Sequence, residues 1–398
     1  MKKHINKKNI GIIFIAALIP VAIYFYAPSK ELSSNVIASD NFFISNVIKI
    51  PDIGPVVRHL KTPDSVKAVY MTSWVGGTAS IRDRLVSLID TTEVNAVVID
   101  IKDATGKIAF TLNSEPFKSL ESTDNRIPNI AELIDSLHDK DIYVIGRIAV
   151  FQDPYLIKKW PSEAVRQKTD PTKPWADHKG IGWLDAGSQK VWDYVIALAE
   201  ESYALGFDEI NFDYIRFPSD GDMQNIYFPL SEGKPKAEVL ESFFKYTDEK
   251  LRRGKRPMVT SADLFGMTAT NTDDLGIGQV LERAAPYFDF IDPMVYPSHF
   301  PSGWNGFKNP ADNPYDVIKI TMDKAGDRVE AIGEPRTKIR PWLQDFNMGA
   351  TYTADMVRAQ ITATYDAGLT SWLMWDPRNN YTKSAFVQES RKENLVVE

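Results

Sequence analysis

Asp213, Asp263 and Asp292 are the acids best placed to do chemistry, because each closes a short apolar, β-branched or aromatic run. Ile210-Asn211-Phe212 leads into Asp213, Val259-Thr260-Ser261-Ala262 into Asp263, and Phe290-Ile291 into Asp292. Cleaving a glycosidic bond needs two carboxyl groups, one to protonate the departing oxygen and one to act as nucleophile or activate water. Asp213 and Asp263 are expected to end neighbouring strands, so their side chains could converge at the short spacing of the nucleophilic, retaining version. Asp213, close to Arg216 and to backbone donors, is the expected ionised nucleophile. Asp263, between Ala262 and Leu264-Phe265, is the expected acid, its pKa raised by apolar neighbours. Asp292 is the substitute acid. The plain structural alternatives are a salt bridge between Asp213 and Arg216, and a helix cap at Asp263.

Around these acids the same pattern offers residues that could hold a sugar. Aromatic rings stack on the apolar faces of sugar rings while charged groups bond the hydroxyls, which singles out Trp74, Trp375, Tyr296 and His299, together with Arg147, Arg216 and Gln344. Asp100, Lys102 and Asp103 could also bind hydroxyls, although two of the three share a strand face and could simply neutralise each other. Lys102 as a Schiff-base amine would instead indicate an aldolase. Of nine tryptophans only Trp192 falls within a clear helical pattern, and the rest favour platforms around a mouth over ordinary core use. Trp342 reads as core.

For such residues to meet, strand ends must converge on one rim. Eight short apolar runs begin near Val66, Asn95, Tyr143, Phe207, Pro257, Phe288, Lys338 and Ser371, and most alternate with stretches of helical spacing. Nearly continuous apolar strands are those of a parallel sheet covered on both faces. Eight of them in about 320 residues predict an α/β fold, a (β/α)8 TIM barrel over 64–385, with a long insertion after the third strand. A doubly wound sheet would show a glycine-rich phosphate turn, and Trp74-Val75-Gly76-Gly77-Thr78 lacks the third glycine. In a barrel of this kind chemistry lies at the carboxyl ends of the strands.

Four lysines in residues 1–8 precede a nearly unbroken apolar run from Ile10 to Ala27. That predicts a transmembrane signal-anchor over 9–28, a stalk over 29–63 that could partly dock on the barrel, and a tail over 386–398. A secretory signal removed by cleavage is the competing reading. In either case the barrel is expected outside the cytoplasm, on the cell membrane or secreted. With four of its 46 basic residues in the first eight, the remainder carries 42 against 53 acidic ones, which disfavours nucleic acid and suits neutral or cationic partners.

The absence of cysteine removes thiol nucleophiles and disulfides. Five histidines with no His-Glu-x-x-His make a metal hydrolase improbable, and Asp220-Gly221-Asp222 is a weak calcium fragment. No cofactor is expected, and no Gly-x-Ser-x-Gly elbow is present.

Five motifs in order resemble one bacterial family: Val66-Lys67-Ala68-Val69-Tyr70 with Trp74; Asn95 to Asp103; Asn211 to Pro218; Asp292 to His299; and Arg340 to Phe346. The chain from Val66 to Tyr381 is similar to the putative glycosyl hydrolase domain family, barrels related to the α-amylase-like glycosidases. The resemblance implies a (β/α)8 fold and a carbohydrate-active site. By analogy with those relatives, Asp213 would be the nucleophile and the acid would come from strand five or six. Asp263 stands where a glutamate is usual in the amylase pattern. The expectation is a glycoside hydrolase acting on an envelope or extracellular polysaccharide. The other readings are a barrel that binds such a glycan without turnover, and a sugar epimerase or aldolase.

Overall fold

The computed structural model describes residues 57–389. The expected flank 1–8, the anchor 9–28, most of the stalk and residues 390–398 of the tail lie outside them. No described helix is long and apolar enough to cross a membrane.

Eight parallel strands close into a barrel. They are β1 (Lys67–Met71), β2 (Ala96–Lys102), β3 (Tyr143–Ala149), β4 (Glu209–Asp213), β5 (Val259–Phe265), β6 (Phe290–Met294), β7 (Trp342–Gln344) and β8 (Trp372–Trp375). Neighbours in sequence are neighbours in the barrel, and β8 closes on β1 with Ala68 opposite Leu373. The principal helices are α1 (Ala79–Asp90), α2 (Ile130–His138), α3 (Gln189–Ala204), α4 (Lys236–Thr247), α5 (Leu281–Ala284), α6 (Pro314–Ala331) and α7 (Ala354–Asp366). After β8 comes a 3-10 turn, Lys383–Ala385.

The strands read as apolar runs because they are covered on both sides. Every residue of β2, β3 and β4 is buried. Side chains alternate along each strand, so the outward set, such as Val97, Val144, Ile210 and Leu343, packs beneath the helices, at roughly 1.5–3 kcal/mol for each large aliphatic side chain fully removed from water. The inward set divides in two. Toward β1, β2, β3 and β8 the interior is largely apolar, built from Ala68, Ala96, Val98, Ile145 and Leu373. Toward β4 to β7 it is polar: Glu209, Asn211, Ser261, Asp263, Asp292 and Arg340 are all buried there.

Local signals set the borders of β4, which carries Asp213. Ser188 caps α3 by accepting from the Val191 N–H at 3.2 Å. Gly206, with φ of 113°, ends that helix, and an added Cβ would lie 3.1 Å from Ile134. Beyond β4, Tyr214 takes the left-handed conformation at φ of 53°, uncommon for a residue with a side chain. Its backbone N–H thereby donates to the carboxylate of the preceding residue, Asp213 Oδ1, at 2.5 Å.

The insertion after β3 folds against the mouth. Its Arg166–Gln167 pairs antiparallel with Ile226–Tyr227 from the loop after β4, and Trp175 and Trp183 are buried in it. Together with Trp372 in the core, they show that several loop and strand tryptophans are packing residues, contrary to the expectation of platforms. At the opposite, amino-terminal end, the last stalk residues dock on the barrel. The Leu60 N–H donates to Asp208 at 2.6 Å, Thr62 lies 3.0 Å from the Tyr143 hydroxyl, and the His59 ring stacks on Tyr203.

Candidate active site

At the carboxyl ends of the strands lies a cleft of about 380 Å³ whose lining includes Arg147, Asp213, Arg216, Asp263, Tyr296 and Trp375. The register explains the gathering. Ala149 of β3 is opposite Asp213 of β4, placing Arg147 one inward position lower on the neighbouring strand, and Asp263 of β5 is opposite Asp292 of β6.

Arg147 is the centre of this floor. Its Nη1 donates to Asp100 at 2.7 Å, its Nε to Asp213 Oδ2 at 3.1 Å, and its Nη2 to the same oxygen. Nε also stands 3.8 Å from Asp263 Oδ2. Those two distances laid end to end bound the separation of the Asp213 and Asp263 oxygens at about 7 Å. The partner of Asp213 is therefore Arg147 and not Arg216. Past the left-handed turn at Tyr214, the Arg216 guanidinium lies 4.9 Å from the Trp183 ring centre and donates to the Phe217 carbonyl and the Ser219 hydroxyl.

Asp263 is held by donors that the strand pattern did not reveal. Its Oδ1 accepts from Asn211 Nδ2 at 2.9 Å and from the Trp342 indole Nε1 at 2.7 Å. Burial, with the charges of Asp213 and Asp292 added, pushes its carboxyl well above the ordinary range, against the pull of Arg147 and Asn211. The helical turn that follows, Gly266–Ala269, has no side-chain cap, so the capping alternative does not apply there.

Asp292 sits one layer deeper. It is fully buried, absent from the cleft lining, and gripped on both oxygens by Arg340 at 2.9 and 2.8 Å, while Arg340 also binds Glu209. Burial lifts its carboxyl to about 6 despite that guanidinium.

Tyr296 and His299 line the cleft with ring centres 5.2 Å apart, and burial lowers the pKa of His299. Trp375 stacks on Tyr70 at 4.0 Å, with the Arg147 guanidinium 5.4 Å from its ring centre. Tyr70 in turn donates to Asp100 at 2.5 Å, so Asp100 acts on the cleft only through Arg147 and Tyr70.

The remaining candidates stand apart from the cleft lining. Lys102 is fully enclosed and paired with Asp153 at 2.6 Å, because an irregularity between Asp100 and Lys102 breaks the strand alternation that would have put both on one face. Asp103 binds Arg126 and the Thr105 N–H. Trp74 is 63% exposed on the rim under the same Arg126. Gln344 is buried and occupied by the Ser298 N–H and the Phe346 carbonyl.

Sequence reasoning missed Asn211, Tyr70 and Lys179 as site residues; Trp342, read as core, is buried in a core cluster and also lines the cleft. Inward alternation on β4 and β1 points to Asn211 and Tyr70. Nothing local marks Lys179, which reaches the cleft from the insertion.

Among solved structures the chain is similar to a hypothetical protein from Ruminiclostridium thermocellum ATCC 27405, with 32% identity over 52% of this chain and 98% of that one and a TM-score of 0.45. The PgaB (BpsB) glycoside hydrolase domain from Bordetella bronchiseptica shares the fold, at 12% identity over 82% of this chain and 99% of that one, with a TM-score of 0.53. No curated protein sequence matches. The family model described as "Putative glycosyl hydrolase domain" matches residues 68–381, most of the barrel and all of the strands that build this cleft, and the chain belongs to that family.

Proposed function

We propose that this barrel hydrolyses a polysaccharide of the envelope or extracellular space by a retaining, two-carboxylate mechanism. One observation carries the reading: a single nitrogen, Arg147 Nε, lies 3.1 Å from Asp213 and 3.8 Å from Asp263, so both acids face one cleft with oxygens at most about 7 Å apart, a limit that admits the short spacing of the retaining reaction.

Asp213 is the nucleophile. Arg147 and the Tyr214 N–H fix its two oxygens, so it meets the anomeric carbon in one orientation without reorganising. Asp263 is the acid, because burial and neighbouring carboxylates keep a proton on it at pH values where ordinary carboxyls have lost theirs. As the glycosidic bond breaks, Asp263 gives its proton to the leaving oxygen and an Asp213 oxygen bonds to the anomeric carbon. Water then displaces Asp213 while Asp263 takes the water's proton. Trp375 and Tyr296 supply ring surfaces for the sugar. Asp292, tied down by Arg340, stays outside the reaction. The lysines and apolar run of residues 1–27 favour a location outside the cytoplasm.

The test is reducing-end release from a panel of polysaccharides by wild type and Asp213→Asn. Release by wild type with retained anomeric configuration, and none by a folded variant, is expected. Equal release by both would sink the assignment, and tight binding without product would favour a non-catalytic carbohydrate-binding barrel.

A further inference from the structure

Among the described residues, two cations at the cleft have no ion-pair partner. Arg216 and Lys179 both line it, and among the described residues neither forms an ion pair. Arg147, by contrast, is consumed by Asp100 and Asp213. Arg216 is half-buried between aromatic faces, 4.9 Å from the Trp183 ring centre and 5.6 Å from that of Tyr214. Among the described residues only its Nη1 is hydrogen-bonded, to the Phe217 carbonyl at 3.1 Å and the Ser219 hydroxyl at 3.2 Å, which leaves the rest of a five-donor fork unused there. Asp213, Asp220 and Asp177 act on it only from a distance. Asp177 is itself occupied by the Lys179 and Ile181 N–H groups, Gln152 and the Trp183 indole. Holding a guanidinium half out of water without a counter-charge is costly, and an anion from outside relieves that cost.

We infer that the cleft selects a glycan bearing an anionic substituent, a carboxylate or a sulfate ester, seated between Arg216 and Lys179. This rests on the proposed glycosidase reading and narrows its substrate class. The other charges of the lining oppose it only in part, since Arg147 offsets one of the two charges of Asp100 and Asp213, and burial favours the neutral form of Asp263. The acidic excess of the chain as a whole acts through solvent and is screened beyond roughly 10 Å at moderate salt, whereas two cations at contact distance are not. A planar fork favours a two-oxygen anion over a hydroxyl, and the point charge of Lys179 adds attraction without directional demand.

The experiment measures binding on the Asp213→Asn background, which separates recognition from turnover. Fragments of polygalacturonate, alginate and hyaluronate are each compared with their carboxyl-reduced counterparts, and chondroitin sulfate with its desulfated form. At least one anionic member is expected to bind roughly ten- to a hundredfold more tightly than its neutral counterpart, as hydrogen bonds to charged groups warrant, with the preference weakening as salt rises. Adding Arg216→Gln and Lys179→Gln should erase that preference while the thermal midpoint shows a folded barrel. The carboxylate and sulfate arms identify which anion is recognised. Neutral counterparts binding as well, no anionic member binding, or a preference surviving the double substitution would each overturn the inference. Reducing-end release by wild type from neutral glycans alone would leave the glycosidase reading standing and remove this one. Selective binding with no release from any glycan would do the reverse.

Discussion

The indole Nε1 of Trp342 donates to Asp263 Oδ1 at 2.7 Å, joining a wall of the cleft on β7 to the proposed acid on β5 across the barrel mouth. A donor aimed at a carboxylate favours its charged form, so this bond pulls the Asp263 pKa down against the burial that pushes it up.

Trp342→Phe keeps the ring and removes the donor. The acid then holds its proton to higher pH, and the alkaline limb of the kcat/KM profile is expected to move upward by about one pH unit, since the loss of one bond of roughly 1–2 kcal/mol corresponds to that shift. An unmoved or lowered limb would mean that Trp342 does not tune the acid.

Asp263→Asn and Asp292→Asn separate the two candidate acids. Loss of general acid assistance costs roughly 10²–10⁴-fold on a poor leaving group and far less on an activated aryl glycoside of the same sugar. That leaving-group dependence is expected for Asp263→Asn. Asp292→Asn should instead weaken folding, by disturbing the pair with Arg340, with no selective rescue by aryl leaving groups. Steady-state kinetics on both substrate types decides.

Asp345 gives a pH signature in stability. Burial pushes its carboxyl up to about 6, even though the Thr382 hydroxyl and N–H both donate to it at 2.7 Å. A carboxyl whose folded pKa is raised favours folding below its unfolded pKa, near 4, and loses that contribution as pH rises through about 6. Relative to wild type, Asp345→Asn should therefore gain about 1–3 kcal/mol between pH 4 and pH 7, measured by urea unfolding. A difference constant with pH would contradict this.

Lys102 and Asp153 form a pair with no solvent access. Lys102→Met strands a buried carboxylate and is expected to cost about 3–5 kcal/mol in unfolding free energy, most of it recovered when Asp153→Asn is added. Borohydride trapping with an aldehyde sugar should leave Lys102 unlabelled. A labelled Lys102 would revive the aldolase reading.

Much of the architecture was legible because its physics is local. A strand covered on both faces is largely apolar, and a strand ending at a functional rim changes abruptly to charge, so all eight strands and the acids Asp213, Asp263 and Asp292 at their ends could be read from short apolar runs. Gly206 before β4 and Pro218 after it mark the borders of that strand for the same reason.

Which groups face each other was decided only by the closed barrel. Arg147 and Asp213 are 66 positions apart, and the β3–β4 register joins them; Arg216, three positions from Asp213, is turned aside by the left-handed residue between them. The irregularity in β2 sent Lys102 to Asp153, and closure brought the Trp342 indole to Asp263. Sequence fixes the period of a strand, but pairing across a barrel depends on register, local bulges and the path of an insertion. Those are settled only when every strand packs at once.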